Sequence, residues 1–497
     1  MNYVLTNTQM READRYTIQT LGVESLVLME RAGEALCAYA ETLAPTGNIV
    51  CVCGGGNNGG DGFVCARLLR KKGRAVTVVY LAEKESEACG INRKKYTTCG
   101  GEICSHLPHN VHFALVVDCL FGTGFHGELP PRYREELEKV NALRATGAKV
   151  LAADIPSGVN GENGFAATGA VCATHTLCIG EKKAGVYLND GIDYAGEIAR
   201  ADIGIALPRQ EEYARLLSQE EMKRLLPKRK RNSHKGTFGR AAIVAGCTEY
   251  TGAAALSLSA CLRSGAGYTA LFTPANILPY YILKYPEALL ERLCEGGRVA
   301  FNEENFSKLL AFDAVAYGMG MGVSAETAKG AVWLLERYTG RLVLDADGLN
   351  SLAKYADVHA AFRAKKCDVI ITPHIKEFSR LTGESVQAIL EKGLFAPVAF
   401  AKEHDVCVLL KNAVSIVTDG KHVALNAAGN VGQARGGSGD VLAGVIAGLC
   451  AGGLSAFDGG KAGAYLVGKA AEIAAKKTGE YSLLVSDVIS AFVSVWE

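Results

Sequence analysis

Twice along this chain, short runs of β-branched residues alternate with helical stretches, and glycine-rich turns separate them. This alternation is typical of parallel sheets that are covered by helices. A chain of 497 residues, of which 49% are hydrophobic, can bury at least two ordinary cores. The sequence therefore predicts two α/β units and excludes a disordered or fibrous protein.

The charges of the chain balance, with 53 Lys and Arg against 52 Asp and Glu. We therefore expect neither nucleic acid nor a membrane surface as a partner, and we expect an anionic ligand to be held at a local site. The longest uncharged stretch, residues 441–457, is short for a membrane span and suits a buried helix and turn. The 16 cysteines are scattered without a C-x-x-C pair, and the polar N-terminal segment does not resemble a secretory signal. These features predict a cytoplasmic protein with reduced cysteines.

Both halves supply the elements of such units. In the first half we predict a helix at 60–72 and strands at 48–53, 75–81, 114–118, 149–154 and 174–179. In the second half we predict helices at 252–265 and from 440 onward, and strands at 240–245, 314–317, 342–345, 369–372 and 406–410. A charged helix at 211–226 and the basic run 228–231 follow the first half, so the domain boundary is placed between residues 210 and 231.

A glycine-rich segment, residues 54–62, lies between the first long strand and its helix. Backbone N–H groups and the helix dipole can hold a phosphate at such a position. Gly54, Gly56 and Gly59 satisfy the pattern G-x-G-x-x-G, and Glu83 follows the next strand as a possible ribose acceptor. An ordinary dinucleotide-binding site is therefore one interpretation of this half.

The side chains of the same segment favour other chemistry. Asn57, Asn58 and Asp61 supply amides and a carboxylate, which a phosphate cradle does not need. Oxygen-rich side chains indicate a hard cation or a sugar hydroxyl. The alternative is an Asn-Gly turn in which Asp61 caps the helix.

Two further predicted strands end in polar residues next to glycine. Asp118 is separated by two residues from the sequence Phe-Gly-Thr-Gly at 121–124. Asp154 directly precedes Ile-Pro-Ser-Gly, which contains Ser157. Residues beyond the carboxyl ends of neighbouring parallel strands converge in one crevice. We therefore expect Asn58, Asp118, Asp154 and Ser157 to meet in a shared site.

Together these motifs resemble the NAD(P)H-hydrate epimerase family. The matching sequences are GGGNNGGDG at 54–62, DCLFGTG at 118–124, DIPSG at 154–158, LMERAG at 28–33 and DIGI at 202–205. The resemblance covers about residues 1–210. It implies a Rossmann-like three-layer epimerase domain, which we place at residues 1–215.

The resemblance also implies roles for individual residues. The hydrated nicotinamide nucleotide would be bound by two loops, which contain Asn57, Asn58, Gly59, Gly60, Asp61, Gly122, Thr123, Gly124, Phe125, His126, Gly127 and Glu128. A potassium ion would be held by Asn58, Asp118 and Ser157. Asp154 would contact the substrate and act as the acid/base that epimerisation at C6 requires. The role of Lys183 stays open, since Lys182 stands where the family often has Pro.

The most specific motif of the chain is Gly-Gly-Ser-Gly-Asp at 436–440, followed by an apolar helix. Its glycines free several N–H groups at a helix N-terminus, which can bind a phosphoryl group in transfer. Asp440 is placed where it could take the proton of an attacking hydroxyl. The alternative is a tight turn in which Asp440 only caps the helix.

With Lys411, this motif resembles the ribokinase-like superfamily, and four others narrow the match to the NAD(P)H-hydrate dehydratase family. They are HKGTFGR at 234–240, TGAA at 251–254, LDADGLN at 344–350 and TPHIKEF at 372–378. The resemblance covers about residues 225–497 and implies a ribokinase-like α/β domain there.

The second resemblance implies a substrate site and a nucleotide site. Ala253, Gly320, His374 and Asp440 would contact the hydrate. ADP or ATP, with magnesium, would be bound by Lys411, Asn412, Ala413, Val414, Ser415 and Gly439. Asp345 and Asp347 follow a strand and could either bind the magnesium or fix the turn.

The sequence departs from this family pattern at three positions. Met319 replaces the Pro of the usual Gly-Pro-Gly, and Asn412 replaces the Gly of the usual Lys-Gly-Ala. Ile375 replaces the Pro that usually follows His374. If the usual glycine serves a close approach of the nucleotide, Asn412 would weaken that contact, although Asn tolerates left-handed backbone geometry better than most residues.

The two resemblances together imply a fused metabolite repair enzyme, an isomerase and a lyase. Its first domain would epimerise hydrated NADH or NADPH, and its second would dehydrate the S form through a phosphorylated intermediate. We also expect a homo-oligomer. Two alternatives stay open: a ribokinase-type kinase of a small molecule such as a vitamin precursor, with a regulatory N-terminal domain, and a first half that only binds NAD. Cys104, His106, His109 and His112 could hold zinc but are more readily explained as loop residues around Pro108.

Overall fold

The computed structural model describes residues 2–208 and 212–495 of the chain. It divides into two compact units, Met1–Tyr213 and Ala214–Glu497. The division falls within the segment where the sequence places the domain boundary.

The first unit is built on a parallel sheet with the strand order β4-β3-β2-β5-β6-β7-β9, and β1 pairs in parallel with β8 outside it. Its strands are β1 (Tyr3–Leu5), β2 (Asn48–Cys53), β3 (Val76–Tyr80), β4 (Ile103–Cys104), β5 (Phe113–Cys119), β6 (Lys149–Ala153), β7 (His175–Ile179), β8 (Lys182–Lys183) and β9 (Glu197–Ala201). Its α-helices are α1 (Asn7–Arg15), α2 (Ser25–Leu43), α3 (Asn57–Lys71), α4 (Glu87–Thr98), α5 (Pro131–Ala145) and α6 (Gly191–Ala195).

Strand β2 shows why this unit has three layers. After its exposed first residue, Asn48, it is apolar and buried, so both faces of the sheet are covered. Ile49, Cys51 and Cys53 pack with residues of α2 and α3 on one face. Val50 and Val52 pack with residues of α5 on the other. The predicted Rossmann-like three-layer fold is confirmed.

The second unit has a sheet with the order β13-β12-β11-β14-β15-β16-β17-β18-β19-β10, antiparallel only at β17-β18-β19. Its strands are β10 (Ala214–Leu216), β11 (Arg240–Val244), β12 (Tyr268–Thr273), β13 (Leu289–Arg292), β14 (Ala314–Tyr317), β15 (Arg341–Leu344), β16 (Asp368–Ile371), β17 (Cys407–Leu410), β18 (Ser415–Thr418) and β19 (Val423–Asn426). Its α-helices are α7 (Gln219–Leu225), α8 (Thr251–Leu262), α9 (Pro279–Ile282), α10 (Glu303–Ser307), α11 (Ala325–Arg337), α12 (Ala346–Tyr355), α13 (Val358–Arg363), α14 (Ile375–Thr382), α15 (Val386–Lys392), α16 (Phe395–His404), α17 (Ser438–Ala451), α18 (Ala456–Thr478) and α19 (Val485–Ser490).

The core of the second unit positions its site. Helices α8, α17 and α18 bury a continuous apolar cluster against the sheet, which includes Ile243, Leu258, Val441 and Leu466. Helices α8 and α17 pack against each other, and residues from the N-terminal ends of both line the same cavity. The α/β prediction is confirmed for this unit as well.

The charged helix predicted at 211–226 is wrong in its first part, and Glu211 lies outside the described residues. Ala214–Leu216 forms strand β10, which pairs with β19. The helix α7 begins only after Ser218, whose hydroxyl accepts the N–H of Glu221 at 3.3 Å. Alternating burial along β10 explains the difference, since this pattern suits a half-buried strand rather than a helix.

All 16 cysteines lie in the described part of the chain and are free; Cys99 is the exposed one, and most of the others are buried. Within the described ranges, the structure contains no helix that combines the length and the apolar character needed to cross a membrane.

Candidate active sites

In the first unit, the ends of β5 and β6 are joined through Asp118 and Ser157. Both side chains are fully buried. The Ser157 hydroxyl donates to Asp118 Oδ1 at 2.6 Å, and the Ser157 N–H donates to Asp118 Oδ2 at 2.8 Å. Burial raises the pKa of Asp118 to about 6, although these hydrogen bonds and one from the Leu120 N–H oppose the rise. The predicted convergence of these strand ends is present.

Asn58 joins the same place from the first turn of α3. Its Nδ2 donates to the carbonyl oxygens of Phe121 at 2.9 Å and Ala153 at 3.2 Å. Its Oδ1 is buried and has no hydrogen-bond partner among the described residues. An unpaired buried oxygen beside carbonyl and hydroxyl oxygens fits the donor set of a hard cation such as potassium.

Asp154 follows β6 in a left-handed conformation, with φ of 71°. This conformation is rare for a residue with a side chain and marks local strain. Lys183 donates to Asp154 Oδ1 and to the carbonyl of Ile179, and the Ile179 N–H donates to the same Oδ1 at 3.0 Å. Since Lys183 is only 1% exposed, its charge is directed to Asp154.

The carboxyl groups of Asp14 and Asp61 interact electrostatically with Asp154 and Lys183. Burial raises the pKa of Asp14 to about 6, although Lys183 counteracts part of the rise. Burial also raises the pKa of Asp61 well above its usual range, and Asp154 and Asp14 add to the rise. Asp14, with a pKa of about 6, can therefore hold and release a proton near neutral pH beside this pair. Asp61 is not a helix cap, because α3 begins after Gly56 without a side-chain cap.

The glycines of residues 54–62 serve the protein's own packing. A Cβ on Gly59 would lie 1.8 Å from the carbonyl oxygen of Gly54. Gly59 therefore allows the start of α3 to close against the preceding turn. Glu83, the candidate ribose acceptor, is exposed and pairs with Arg132 at 3.5 Å. Asn57, Asn58, Gly59, Gly60 and Asp61 all lie in the first turns of α3.

The second predicted loop, residues 122–128, connects β5 to α5 and is mostly exposed. The Thr123 carbonyl accepts a hydrogen bond from Asn7 Nδ2 at 3.0 Å, and the Asn7 N–H donates to Glu162 at 2.7 Å. Phe125 stacks near Phe121, with ring centroids 5.4 Å apart. The start of α1 thus holds the loop, which sequence reasoning missed.

In the second unit, a cavity of about 730 Å³ lies where α8 and α17 begin. Three of the four predicted hydrate contacts line it, and its lining includes Tyr250, Gly252, Ala253, Gly320, Asp347, Gly436, Gly437 and Asp440. The two helix N-termini at this cavity favour an anion, because unpaired N–H groups and helix dipoles point toward it.

Asp440 is the third residue of α17, and Gly437 occupies the cap position without a side-chain cap. The capping alternative for Asp440 is therefore wrong. Burial raises the pKa of Asp440 to about 6; Asp345 adds to the rise and Lys411 opposes it. A carboxylate with this pKa is suited to accept a proton near neutral pH.

Lys411 is bound to Asp345 rather than directed to open solvent. Its Nζ donates to Asp345 Oδ1 at 2.7 Å, and the Thr372 hydroxyl donates to the same oxygen at 2.8 Å. Burial lowers the pKa of Lys411, but Asp345 and Glu377 outweigh this and the net shift is upward. A Cβ on Gly439 would lie 3.2 Å from Lys411 Nζ, so the α17 backbone closely approaches this pair. Asp345 is therefore held in a network with Lys411 and Thr372 directly before α12.

His374 has a structural task of its own. It caps α14, and its Nδ1 accepts the N–H groups of Lys376 at 3.1 Å and Glu377 at 3.2 Å. A backbone bridge links His374 to Lys411. This leaves Nε2, 3.4 Å from a Glu377 oxygen, as the ring atom toward which a ligand could be directed.

The segment 411–415 forms the turn between β17 and β18. Asn412 and Ala413 are exposed, and Val414 is buried, so Val414 offers a ligand its backbone only. Asn412 is not among the non-glycine residues with positive φ in the described chain. Its side chain accepts the N–H of Ala413 at 2.9 Å. Met319, another of the three departures, is fully buried in the core, and Ile375, the third, is the first residue of α14.

The four residues considered for zinc do not form a cluster within the described ranges. His106 instead lies 2.9 Å from the buried carboxylate of Glu136.

Comparison with known proteins places the chain in a family. The family model described as NAD(P)H-hydrate dehydratase matches residues 241–492, and the model described as YjeF-related protein N-terminus matches residues 25–185. The bifunctional NAD(P)H-hydrate repair enzyme Nnr of Thermofilum pendens is 34% identical over 96% of this chain and 93% of that relative. The enzyme of the same name from Escherichia coli is 31% identical over 97% and 91%.

The chain belongs to the bifunctional NAD(P)H-hydrate repair enzymes. Membership of this family confirms the predicted combination of epimerase and dehydratase domains. It does not favour the alternative of a small-molecule kinase. Among solved structures, an ADP/ATP-dependent NAD(P)H-hydrate dehydratase from Bacillus subtilis, co-crystallized with ATP/Mg2+, is 26% identical. The superposition covers 58% of this chain and 99% of the Bacillus subtilis chain, with a TM-score of 0.49.

Several residues of this repair enzyme's sites carried no sequence motif. Asn7 and Asp14 lie in α1, far in sequence from Thr123 and Asp154, and only the fold brings them together. The sequence signal for such residues is a polar side chain on the buried face of an amphipathic helix. This signal does not identify the residue that the side chain contacts.

Proposed function

We propose that residues 225–497 dehydrate (S)-NAD(P)H-hydrate at the cavity between the starts of α8 and α17. The observation that carries the proposal is that two helix N-termini and the carboxyl of Asp440 meet at this one cavity. The helix ends stabilise the negative charge of a phosphoryl group in transfer. Asp440 supplies the base that the attacking hydroxyl requires.

The proposed reaction proceeds in two steps. Asp440 takes the proton of the C6 hydroxyl while the terminal phosphoryl group of ATP or ADP passes to that oxygen, which releases ADP or AMP. The C6–O bond then breaks, inorganic phosphate leaves, and loss of a ring proton restores the double bond of the dihydronicotinamide. We assign the hydrate to Ala253, Gly320, His374 and Asp440, and the nucleotide to Lys411, Asn412, Ala413, Val414, Ser415 and Gly439.

Magnesium fits this cavity at Asp347. Asp345 is held by Lys411 and Thr372, whereas Asp347 lines the cavity and accepts the N–H of Gly322 at 2.8 Å. A magnesium ion that arrives with the nucleotide neutralises phosphate charge and is held by one or two carboxylates. We therefore propose Asp347 as its protein ligand.

For residues 1–215 we propose NAD(P)H-hydrate epimerisation, with Asp154 as the acid/base. The contact between Lys183 and Asp154 supports this role, because the lysine donates to the Asp154 carboxyl group and fixes its direction. The substrate would be held by the first turns of α3 and by the loop before α5, with the residues Asn57, Asn58, Gly59, Gly60, Asp61, Gly122, Thr123, Gly124, Phe125, His126, Gly127 and Glu128.

We propose potassium at Asn58, Asp118 and Ser157. The unpaired Oδ1 of Asn58 supports the assignment, since a bound cation would satisfy it. Replacing potassium by the larger tetramethylammonium ion would then lower epimerisation in the unaltered enzyme. An equal rate without potassium would contradict the assignment.

Two variants test the two sites within one chain. Asp440→Asn should lower dehydration of the pure S hydrate, with ATP or ADP, by about 10²-fold or more. Asp154→Asn should lower epimerisation of the R hydrate by a similar factor. The absorbance of restored NADH measures the first reaction, and separation of the epimers measures the second. Each variant is the folding control of the other; loss of both activities in either one would argue against separate sites.

A cytoplasmic location and a homo-oligomer complete the proposal. The free cysteines support a reducing compartment. Light scattering on the purified chain tests self-association, and a monomeric mass would exclude it.

A further inference from the structure

A cluster of metal-ligating side chains lies on the second unit, outside the cavity at α8 and α17. It consists of His359 from α13 and of Glu403 and His404 from the end of α16. One ligand atom from each residue lies within 4.8 Å of the others. The residues border a separate cavity of about 250 Å³. None of them takes part in the reactions proposed above.

His404 is the fixed member of the cluster. It is 7% exposed and packs between the rings of Phe362 and Phe400, with centroids 5.5 Å and 4.2 Å away. Its Nε2 is buried and has no hydrogen-bond partner among the described residues. Buried polar atoms are normally paired, and the ring of His404, a residue that borders the cavity, leaves this nitrogen unpaired.

His359 and Glu403 are the adjustable members. Their side chains are 61% and 62% exposed, and His359 Nδ1 lies 3.3 Å from Glu403 Oε1. Zinc ligands at about 2.1 Å from a tetrahedral ion lie roughly 3.4 Å apart, so small rotations of these two side chains bring all three into place. The nearby cation Lys365 is already paired with Asp405 at 2.8 Å, and Arg363 also borders the cavity.

We propose that His359, Glu403 and His404 bind a zinc ion. Two imidazoles and one carboxylate form a ligand set that zinc accepts, and the set leaves a coordination position open for water. The ion would tie α13 to the end of α16, directly before β17. Zinc binding would therefore stabilise the second unit, independently of catalysis.

Zinc binding to the purified full-length enzyme tests the proposal, with zinc chloride alone as the probe and isothermal titration as the measurement. We expect one site per chain in the unaltered enzyme. His359→Ala and Glu403→Gln change exposed side chains and should each weaken binding by about tenfold or more. His422→Ala removes a partly exposed histidine elsewhere on this unit and should leave the affinity unchanged.

A second measurement distinguishes zinc bound by His359, Glu403 and His404 from zinc bound elsewhere on the enzyme. Zinc at about 100 times its dissociation constant should raise the Tm of the second unit by several degrees. The shift should disappear in His359→Ala and persist in His422→Ala. Zinc held by cysteine thiols would survive both ligand substitutions with full affinity, and that result, or no binding by the unaltered enzyme, would overturn the proposal.

Discussion

Each of the two active-site regions contains a lysine that donates a hydrogen bond to an aspartate, but the two pairs differ in their proposed roles. In the first unit, buried Lys183 donates to Asp154; in the second, Lys411 donates to Asp345. Each aspartate follows a parallel strand at a left-handed turn, with φ of 71° at Asp154 itself and 46° at Ala346, directly after Asp345. Both pairs therefore hold strained strand ends.

The difference lies in which carboxyl group is proposed to react. In the first unit, the carboxylate bound by the lysine is the proposed acid/base. In the second, the lysine-bound Asp345 is 1% exposed, and Asp440 reaches the cavity from the start of a helix. Under this proposal, the strand-end aspartate reacts in the first site and only supports the second.

The largest expected effect concerns the supporting pair. Lys411→Met leaves Asp345 buried without its cation, so we expect the free energy of unfolding of the second unit to fall by about 3–5 kcal/mol. Urea unfolding measures it. Lys421→Met, at an exposed lysine of the β18-β19 turn, is the matched control. An unfolding curve of Lys411→Met that equals the control would remove the supporting role from the comparison.

The corresponding change in the first unit should act on activity. Lys183→Met removes the charge that orients Asp154, and we expect epimerisation to fall by about 10²-fold while dehydration is unchanged. Lys182→Met changes the adjacent, half-buried lysine and serves as the control for folding. If Lys183→Met lost stability and kept its epimerisation rate, the two lysines would have the same role.

The pKa of Asp440 links activity and stability with opposite signs. Burial raises this pKa from its usual 3.8 to about 6, so dehydration should fall about tenfold per pH unit below 6 as the base becomes protonated. The folded state binds this proton more tightly than the unfolded state. Ionisation therefore destabilises the fold progressively between pH 4 and pH 6, and the full cost is present above pH 6.

Asp440→Asn should remove that cost. We expect the variant to be more stable than the unaltered enzyme by about 1–3 kcal/mol at pH 7, and equally stable at pH 3, where both states bind the proton. Urea unfolding at the two pH values measures the difference. A variant that is destabilised at pH 7 would mean that the ionised Asp440 is supported as Asp345 is.

The smallest expected effect is at Asn412. Its backbone is not left-handed and its side chain is exposed, so Asn412→Gly should change the KM for ATP by less than about threefold. Initial-rate kinetics with the S hydrate measures this. A larger fall in KM would show that the side chain obstructs the nucleotide.

Much of the fold could be predicted because buried parallel strands are continuous apolar runs. The bounds predicted for β2 and β14 match the structure. The two- and three-residue strands β1, β8 and β10 were beyond reach, since so few residues carry no periodicity. The helices α3 and α17 begin earlier than predicted, because glycine-rich first turns have low helix propensity.

The positions of the candidate sites could be predicted where a motif marks a turn. The Gly-rich segments and the strand-end aspartates indicated both candidate sites. The roles assigned to their residues stay predictions. The partners that tune them were not predictable: Lys411 and Asp345 are 66 residues apart, and Asn7 and Thr123 are 116 apart. Such pairings depend on strand order, which local sequence does not contain.

The placement of the cysteines bears on how the enzyme withstands peroxide. Thiolates are the form that oxidises, and burial raises the pKa of most of these thiols, including Cys53, Cys119 and Cys407. Exposed Cys99, at the end of α4, is the thiol that a peroxide or a maleimide dye meets first. Neither proposed reaction uses sulfur chemistry, so a fluorophore attached at Cys99 would report on the enzyme while it works.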